Sequence, residues 1–232
     1  MKNKYSISVV IPVYNEINLI RKSITKVKNF IEKYFDDYEL LIIESGSSDG
    51  TEKICDDFAN KYKNIRVLHE GGRNGLGSAL KLGFKNSIKD LILAIVVDLP
   101  FPFESILEAL PYFQKYNCIL SYRSNDNRNW FRKFQSDVYN LIIKLSLGLK
   151  VKHVNSAFKF YKREIIQNMN LISNGWFIDA EIIYNLQKMN VPYFEMPVEL
   201  IDRESGQSTL PFFTPLKMLK ELLAFKKSIK NS

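Results

Sequence analysis

Leu40-Leu41-Ile42-Ile43-Glu44-Ser45-Gly46-Ser47-Ser48-Asp49-Gly50-Thr51 is the stretch on which the fold depends. A strand with one wet face alternates apolar and polar residues, whereas four consecutive large apolar residues make a strand buried on both faces. Residues 48–51 then supply turn and helix-cap chemistry, and Ile54, Phe58 and Tyr62 recur on one helical face. A doubly buried strand that leads through a tight turn into an amphipathic helix is half of a βαβ unit. It implies an α/β fold with a mostly parallel central sheet flanked by helices.

The same alternation continues on both sides. Residues 8–11 form a short apolar strand ended by Pro12, and Ile20, Ile24, Val27, Ile31 and Tyr34 follow at helical spacing. Residues 65–68 read as a strand, 78–88 as a helix and 91–97 as a strand. The second half is less regular: strands are expected at 118–122, 156–161 and 191–201, and helices at 134–147 and 179–189. With no internal repeat, low-complexity tract or linker, residues 1–212 read as one domain. Residues 213–232 read as a C-terminal basic amphipathic helix opened by Thr214-Pro215.

Composition narrows the classes. The chain has 232 residues, 46 % of them hydrophobic, enough for a sizeable core and too apolar for a disordered chain. Cys55 and Cys118 read as free thiols of a reducing compartment. The longest uninterrupted apolar run, 91–97, falls far short of the roughly 20 residues of a membrane helix. The N-terminus lacks a signal-peptide pattern, so a cytoplasmic protein is expected. The net charge of +8 suits nucleic acid, an anionic membrane or a phosphorylated small molecule. Nucleic acid is set aside, because the chain shows neither a basic stripe interleaved with aromatics nor a Cys/His knuckle.

Ligands of parallel sheets bind beyond the carboxyl ends of the strands, so the segments after each strand carry the candidate chemistry. Tyr14 and Glu16 follow Pro12, where a base or ribose could stack and hydrogen-bond; the plain alternative is a strand-to-helix turn with Glu16 favouring the helix N-terminus. Gly46 and Asp49 are turn and cap residues. Asn74-Gly75-Leu76-Gly77 offers backbone amides and a positive helix end to an anion, or glycines to close packing. Arg123, Arg128, Arg132 and Lys133 share one loop and Arg203 lies in another; guanidinium forks suit phosphate oxygens, and a solvated basic loop is the alternative. Asp179 and Glu181 open one helix, where the plain reading is that they complement the helix dipole. His69 and His153 are not spaced as a metal pair and read as structural.

On the C-terminal helix Leu216, Leu219 and Leu223 form one stripe, and Met218, Leu222, Phe225 and Ile229 an adjoining one, beside Lys217, Lys220, Lys226, Lys227 and Lys230. Residues 216–223 are expected to pack on the domain, and residues 225–229 to reach an anionic membrane surface.

Taken in order, residues 8–16, Gly46-Ser47-Ser48-Asp49-Gly50-Thr51 and Asn74-Gly75-Leu76-Gly77-Ser78-Ala79 resemble the nucleotide half of family 2 glycosyltransferases of the GT-A fold. Ser156-Ala157-Phe158-Lys159, Asp179-Ala180-Glu181 and residues 202–208 are similar to the polyprenol-phosphate sugar transferase branch, of the dolichol-phosphate mannose synthase type. The resemblance covers residues 8 to about 225. It implies transfer of a sugar from a nucleotide diphosphate sugar to a polyprenyl or dolichyl phosphate at the cytoplasmic membrane face, with inversion at the anomeric centre. It assigns Pro12, Tyr14, Glu16, Ile43, Ser45, Asn74, Gly77, Val97, Asp98 and Arg123 to the nucleotide sugar. Arg203 and Ser208 go to the acceptor phosphate, and Asp98, Arg203, Asp179 and Glu181 to catalysis. A divalent cation, Mg²⁺ or Mn²⁺, falls to Asp98. A membrane-anchoring subunit or a homo-oligomer is left open.

The chain also departs from that pattern. The family's Asp-Ala-Asp metal motif stands here as Val96-Val97-Asp98, and its paired Asp-Asp as Glu44-Ser45. The Asp-Pro-Thr-Ser-Gly turn is His153-Val154-Asn155-Ser156-Ala157, and Thr209 stands where a basic residue is usual. Two functions follow from these losses: an active transferase with altered donor use, or an impaired relative that binds a nucleotide or lipid phosphate as a regulatory subunit.

Overall fold

The computed structural model describes residues 3–125, 130–155, 158–201 and 214–230. The first half alternates as expected: β1 (Ile7–Val13), α1 (Ile20–Tyr34), β2 (Tyr38–Glu44), α2 (Thr51–Lys61), β3 (Ile65–His69), α3 (Leu76–Asn86) and β4 (Leu91–Ile95). The second half adds α4 (Glu104–Ala109), which runs into a 3₁₀ turn (Leu110–Gln114), then β5 (Cys118–Arg123), α5 (Trp130–Leu147) and β6 (Phe158–Lys162). It closes with α6 (Arg163–Gln167), α7 (Ile178–Lys188), β7 (Tyr193–Val198) and α8 (Thr214–Lys230).

The strands form one sheet in the order β3-β2-β1-β4-β6-β5-β7. β6 runs antiparallel to both its neighbours, β4 and β5, while β7 pairs parallel to β5. Six strands therefore end at one edge. Alternate residues of β1 and β2 supply two cores. Val9, Ile11, Leu40 and Ile42 pack with α1, α2 and α4, and Val10, Leu41 and Ile43 with α3, α5, α7 and α8. Cys55 and Cys118 are buried free thiols, as expected.

The C-terminal helix departs from expectation. Met218, Leu222 and Phe225 are buried in the second core, and the Phe225 ring packs 5.4 Å from Phe177 and 5.3 Å from Tyr184. The Phe225–Ile229 face is turned into this core and not to a membrane, because Phe225 is buried against Phe177 and Tyr184 and Ile229 packs against the same cluster. Among the described residues, no helix is long and apolar enough to cross a membrane.

Candidate active site

At the carboxyl edge the loops after β1 and β2 are laced together by side chains. The Asn15 N–H donates to Ser47 Oγ at 3.0 Å, the Glu16 N–H to Thr51 Oγ1 at 2.9 Å and the Ile17 N–H to Asp49 Oδ2 at 3.1 Å. In return, Asn15 Oδ1 accepts the Ser48 N–H at 2.9 Å. Asn15 itself is left-handed, with φ 52°, a conformation asparagine tolerates better than most residues. The lacing fixes Tyr14 and Glu16 at the lip of the sheet. Arg73 lies over the Tyr14 ring, its guanidinium carbon 4.4 Å from the centroid, so a flat cationic–aromatic pair stands beside the end of β1.

The expected base-reading residues lie deeper. Ser45 is buried and its hydroxyl donates to Glu70 Oε2 at 2.5 Å, while Glu70 Oε1 accepts from Ser78 Oγ at 2.6 Å. Glu70 thus ties the end of β2 to the first turn of α3. Ile43 and Val97, both expected at the nucleotide, have side chains packed in the core, Ile43 within the doubly buried β2 and Val97 in the turn that follows β4. Beside them Glu44 accepts the Ser47 N–H at 2.6 Å and faces His69 Nδ1 at 3.2 Å. His69 Nε2 meets Asp56 at 3.1 Å, and Glu52 lies 3.8 Å from Nδ1. Burial works against the Glu44 charge, but hydrogen bonds from Ser47, His69 and Gly46 outweigh it and hold the carboxyl below its usual range. Burial likewise opposes the His69 cation, and its bonds to Glu44 and Asp56 win, raising its pKa. His69, expected to be structural, is tied to Glu44 and Asp56, and Glu44, Glu52 and His69 bring three donor atoms within 4.8 Å of one another.

Gly77 serves packing in this structure. A Cβ there would stand 2.5 Å from the Ser173 carbonyl oxygen, and one on Gly75 2.3 Å from that of Asn174. The Ser78 N–H at the α3 N-terminus donates to Asn174 O at 3.1 Å, and Asn74 is exposed beside it. The 172–175 turn is held from two other helices. Glu181, fully buried, accepts the Ile172 and Ser173 N–H groups at 2.7 and 2.8 Å. Glu221 of α8 accepts the Phe177 N–H at 2.9 Å. Both Glu181 oxygens are therefore engaged in holding this turn.

Asp98 follows β4 in a tight turn: the Leu99 N–H donates to Val96 O at 3.2 Å, and Leu99 has φ 45°, a strained value for a branched side chain. The Ser23 hydroxyl of α1 clamps the turn by donating to Val97 O at 2.6 Å. Asp98 lines a cleft of about 540 Å³ with Lys22 and Lys26 of α1, Phe101 and Ile201. The Ile201 N–H donates to Pro100 O at 3.0 Å, bringing the chain after β7 to this cleft. Val96 lines a different cavity, of about 80 Å³, with Pro12, Asn155, Lys159, Trp176 and Asp179. There Lys159 Nζ and Asp179 Oδ2 form a buried ion pair at 2.7 Å. Near it the Tyr139 and Tyr161 hydroxyls are buried without a hydrogen-bond partner among the described residues. Burial first, then the Asp179 charge, pushes both phenols well above the ordinary tyrosine range.

Pro12, Tyr14, Glu16, Asp98, Arg123 and Asp179 thus fall on or beside one sheet edge. Arg128, Arg203, Ser208 and Thr209, like Ser156 and Ala157, lie outside the described residues, as does the Arg132 side chain. Arg73, Glu70, Lys159 and Trp176 went unassigned in the sequence. Glu70 and Arg73 had a signal in their place in the segment after β3, and Lys159 in the 156–159 stretch that carries the family resemblance.

The sheet order, the laced loops and an acidic turn after β4 define the GT-A class of nucleotide-sugar transferases. The solved structure of glucosyl-3-phosphoglycerate synthase from Mycobacterium tuberculosis, in complex with Mn²⁺, uridine diphosphate and phosphoglyceric acid, has this fold. It matches with a TM-score of 0.73 at 19 % identity over 97 % of this chain and 78 % of that one. The model of glycosyl transferase family 2 matches residues 8–169, and the chain belongs to that family. Among curated relatives, the undecaprenyl-phosphate 4-deoxy-4-formamido-L-arabinose transferase of Proteus mirabilis (strain HI4320) is 29 % identical over 220 residues. That of Enterobacter sp. (strain 638) is 29 % identical over 222. Each alignment covers 94 % of this chain, which spans about two thirds of the relatives' length (66 % and 67 %).

Proposed function

We propose that the chain moves a sugar from a nucleotide diphosphate sugar onto a polyprenyl phosphate. The observation that carries this reading is the reach of the similarity. It continues past residue 169, where the family model stops, over 94 % of the chain, to relatives named for undecaprenyl phosphate. The acceptor-side elements α7, β7 and α8 contribute to it as well as the nucleotide half.

The chemistry suits the residues present. An acceptor phosphate oxygen attacks the anomeric carbon, the bond from that carbon to the diphosphate oxygen breaks, and the configuration inverts. The nucleophile is already anionic, so no strong base is required. Asp179, held by Lys159, then fits an orienting role. Catalysis is chiefly alignment and neutralisation of the leaving diphosphate. Tyr14 and Arg73 frame the base, and Lys22 and Lys26 add positive charge to the cleft wall beside Asp98. A divalent cation, Mg²⁺ or Mn²⁺, fits Asp98 as a one-carboxylate site completed by diphosphate oxygens and water. It would supply charge neutralisation. The Glu44, Glu52 and His69 group lies at the ends of β2 and β3 and the start of α2, and its imidazole suits a softer ion than Mg²⁺.

A second reading, a catalytically impaired binding or regulatory subunit, is favoured by one observation. Val96 offers no carboxylate, and it lines the cavity of Lys159 instead of the Asp98 cleft. A panel of nucleotide sugars with a short polyprenyl phosphate, with and without Mg²⁺ or Mn²⁺, separates the two. Transfer should occur with at least one donor, depend on the cation and fall by about 10²-fold or more in Asp98→Ala. Nucleotide binding with no turnover on any donor supports the second reading.

A further inference from the structure

The helix α5 is apolar on the side that faces away from the protein. Its inner face carries the buried Tyr139 and Ile143. Its outer face carries Trp130, Phe134, Val138, Leu141 and Leu145, spaced by three to four residues along one stripe. Trp130 and Leu145 are each 76 % exposed and Phe134 60 %. Single exposed apolar residues are ordinary, but a continuous stripe of five along an 18-residue helix marks an interaction surface. The outer face of α1, by contrast, presents Arg21, Lys22, Thr25 and Lys26.

We infer that the outer face of α5 seats the protein on an anionic lipid bilayer. The charge around the stripe selects this occupant. Lys133 flanks it on α5, and exposed Lys150 and Lys152 follow that helix. The neighbouring α8 turns Lys217, Lys220 and Lys227 outward together with Leu223, its inner stripe being buried. Asp137 is the acidic side chain of the arc among the described residues. Apolar side chains with a lysine collar are what an interfacial helix presents to acidic headgroups. A protein partner covering the stripe would need no such collar. The stripe also begins at the useful place: β5 ends at the carboxyl edge, and Trp130 opens the next helix, so the Trp130 end of α5 lies on the site side of the molecule. The inference rests on the lipid-phosphate reading of the site and adds the surface that meets the lipid.

The test is flotation with vesicles of phosphatidylcholine alone or with 30 % phosphatidylglycerol (about the anionic fraction that gives a marked surface potential). The full chain should float with the anionic vesicles and detach as salt rises. Phe134→Ser with Leu145→Ser should lower bound protein about tenfold or more, with an unchanged circular dichroism spectrum and melting temperature. Ile88→Ser, at an exposed apolar residue elsewhere, should float as the parent does. Transfer to a short soluble acceptor phosphate should persist in the double variant, while transfer to a long-chain acceptor in vesicles falls. Vesicle binding that depends on the stripe in a protein inactive with every donor upholds the surface and overturns the catalytic reading. A chain that never floats, a double variant that floats like the parent, or a stripe-dependent dimer that ignores vesicles each overturns the surface.

Discussion

Glu181 accepts two backbone N–H groups with its two oxygens, so Glu181→Gln turns one acceptor into a donor facing a donor. Unfolding in urea should show a loss of about 2–3 kcal/mol. The turnover of the remaining folded protein should change little. A catalytic base would show the reverse, unchanged stability and lost turnover. His69 gives the pH dependence. Its pKa is raised in the fold, so the stability it contributes is complete below its ordinary value near 6.5 and is lost as pH rises through the raised value. Glu44, held low, contributes above its ordinary value near 4.5 and loses that as pH falls through the lowered one. His69→Gln should therefore flatten the decline in stability above pH 6.5, by less than about 1 kcal/mol because the imidazole is partly solvated; an unchanged slope in melts across that range would remove His69 from the account. Tyr14, Glu16 and Asp98 were legible as site residues because position after a strand is a local property. Arg73 over Tyr14 and Lys159 with Asp179 were not, because the sheet creates those pairs from residues far apart in sequence.

Among the elements, α8 illustrates how one pattern serves two environments. An apolar stripe beside lysines describes an interfacial helix and a packed one equally well, and the apolar surface of the second core decides between them. Phe225→Ala should therefore cost about 3–4 kcal/mol, the usual range for a buried ring, and lower the melting temperature of the whole domain. Truncation after Ala224 should do the same; a truncated chain that melts like the parent would place the ring outside the core. β1 to β4 and their helices were legible since doubly buried strands and amphipathic helices have distinct periods. The end of β4 was not: Val96 and Val97 prolong the apolar run, yet the chain has already turned toward Leu99, and Val97 is buried from the turn. The α4 segment escaped for the opposite reason. Its aromatic-rich surroundings show no clean period, and Phe101, Phe103 and Phe113 are placed by contacts with Phe158, Phe30 and Phe160.

The whole molecule is a nucleotide half, β1 to β4, completed by three strands whose order is not that of the chain. No local signal predicts that β6 lies antiparallel between β4 and β5, for strand direction is set by which edges remain open. The halves are also locked at the α3 N-terminus, where Gly75 and Gly77 admit the 173–175 backbone. A fragment of residues 1–155 should thus aggregate although it contains the whole nucleotide half, since β4 would expose a fully buried apolar edge. A soluble, nucleotide-binding fragment would contradict that. The placement of β6 has a consequence in time. A chain leaving the ribosome emits β5 about 40 residues before the strand that joins it to the sheet, at roughly 5–20 residues per second. For those seconds β5 has neither of its neighbours, since β6 and β7 both follow it in the chain. Three of the seven strands therefore join the sheet only after most of the chain exists.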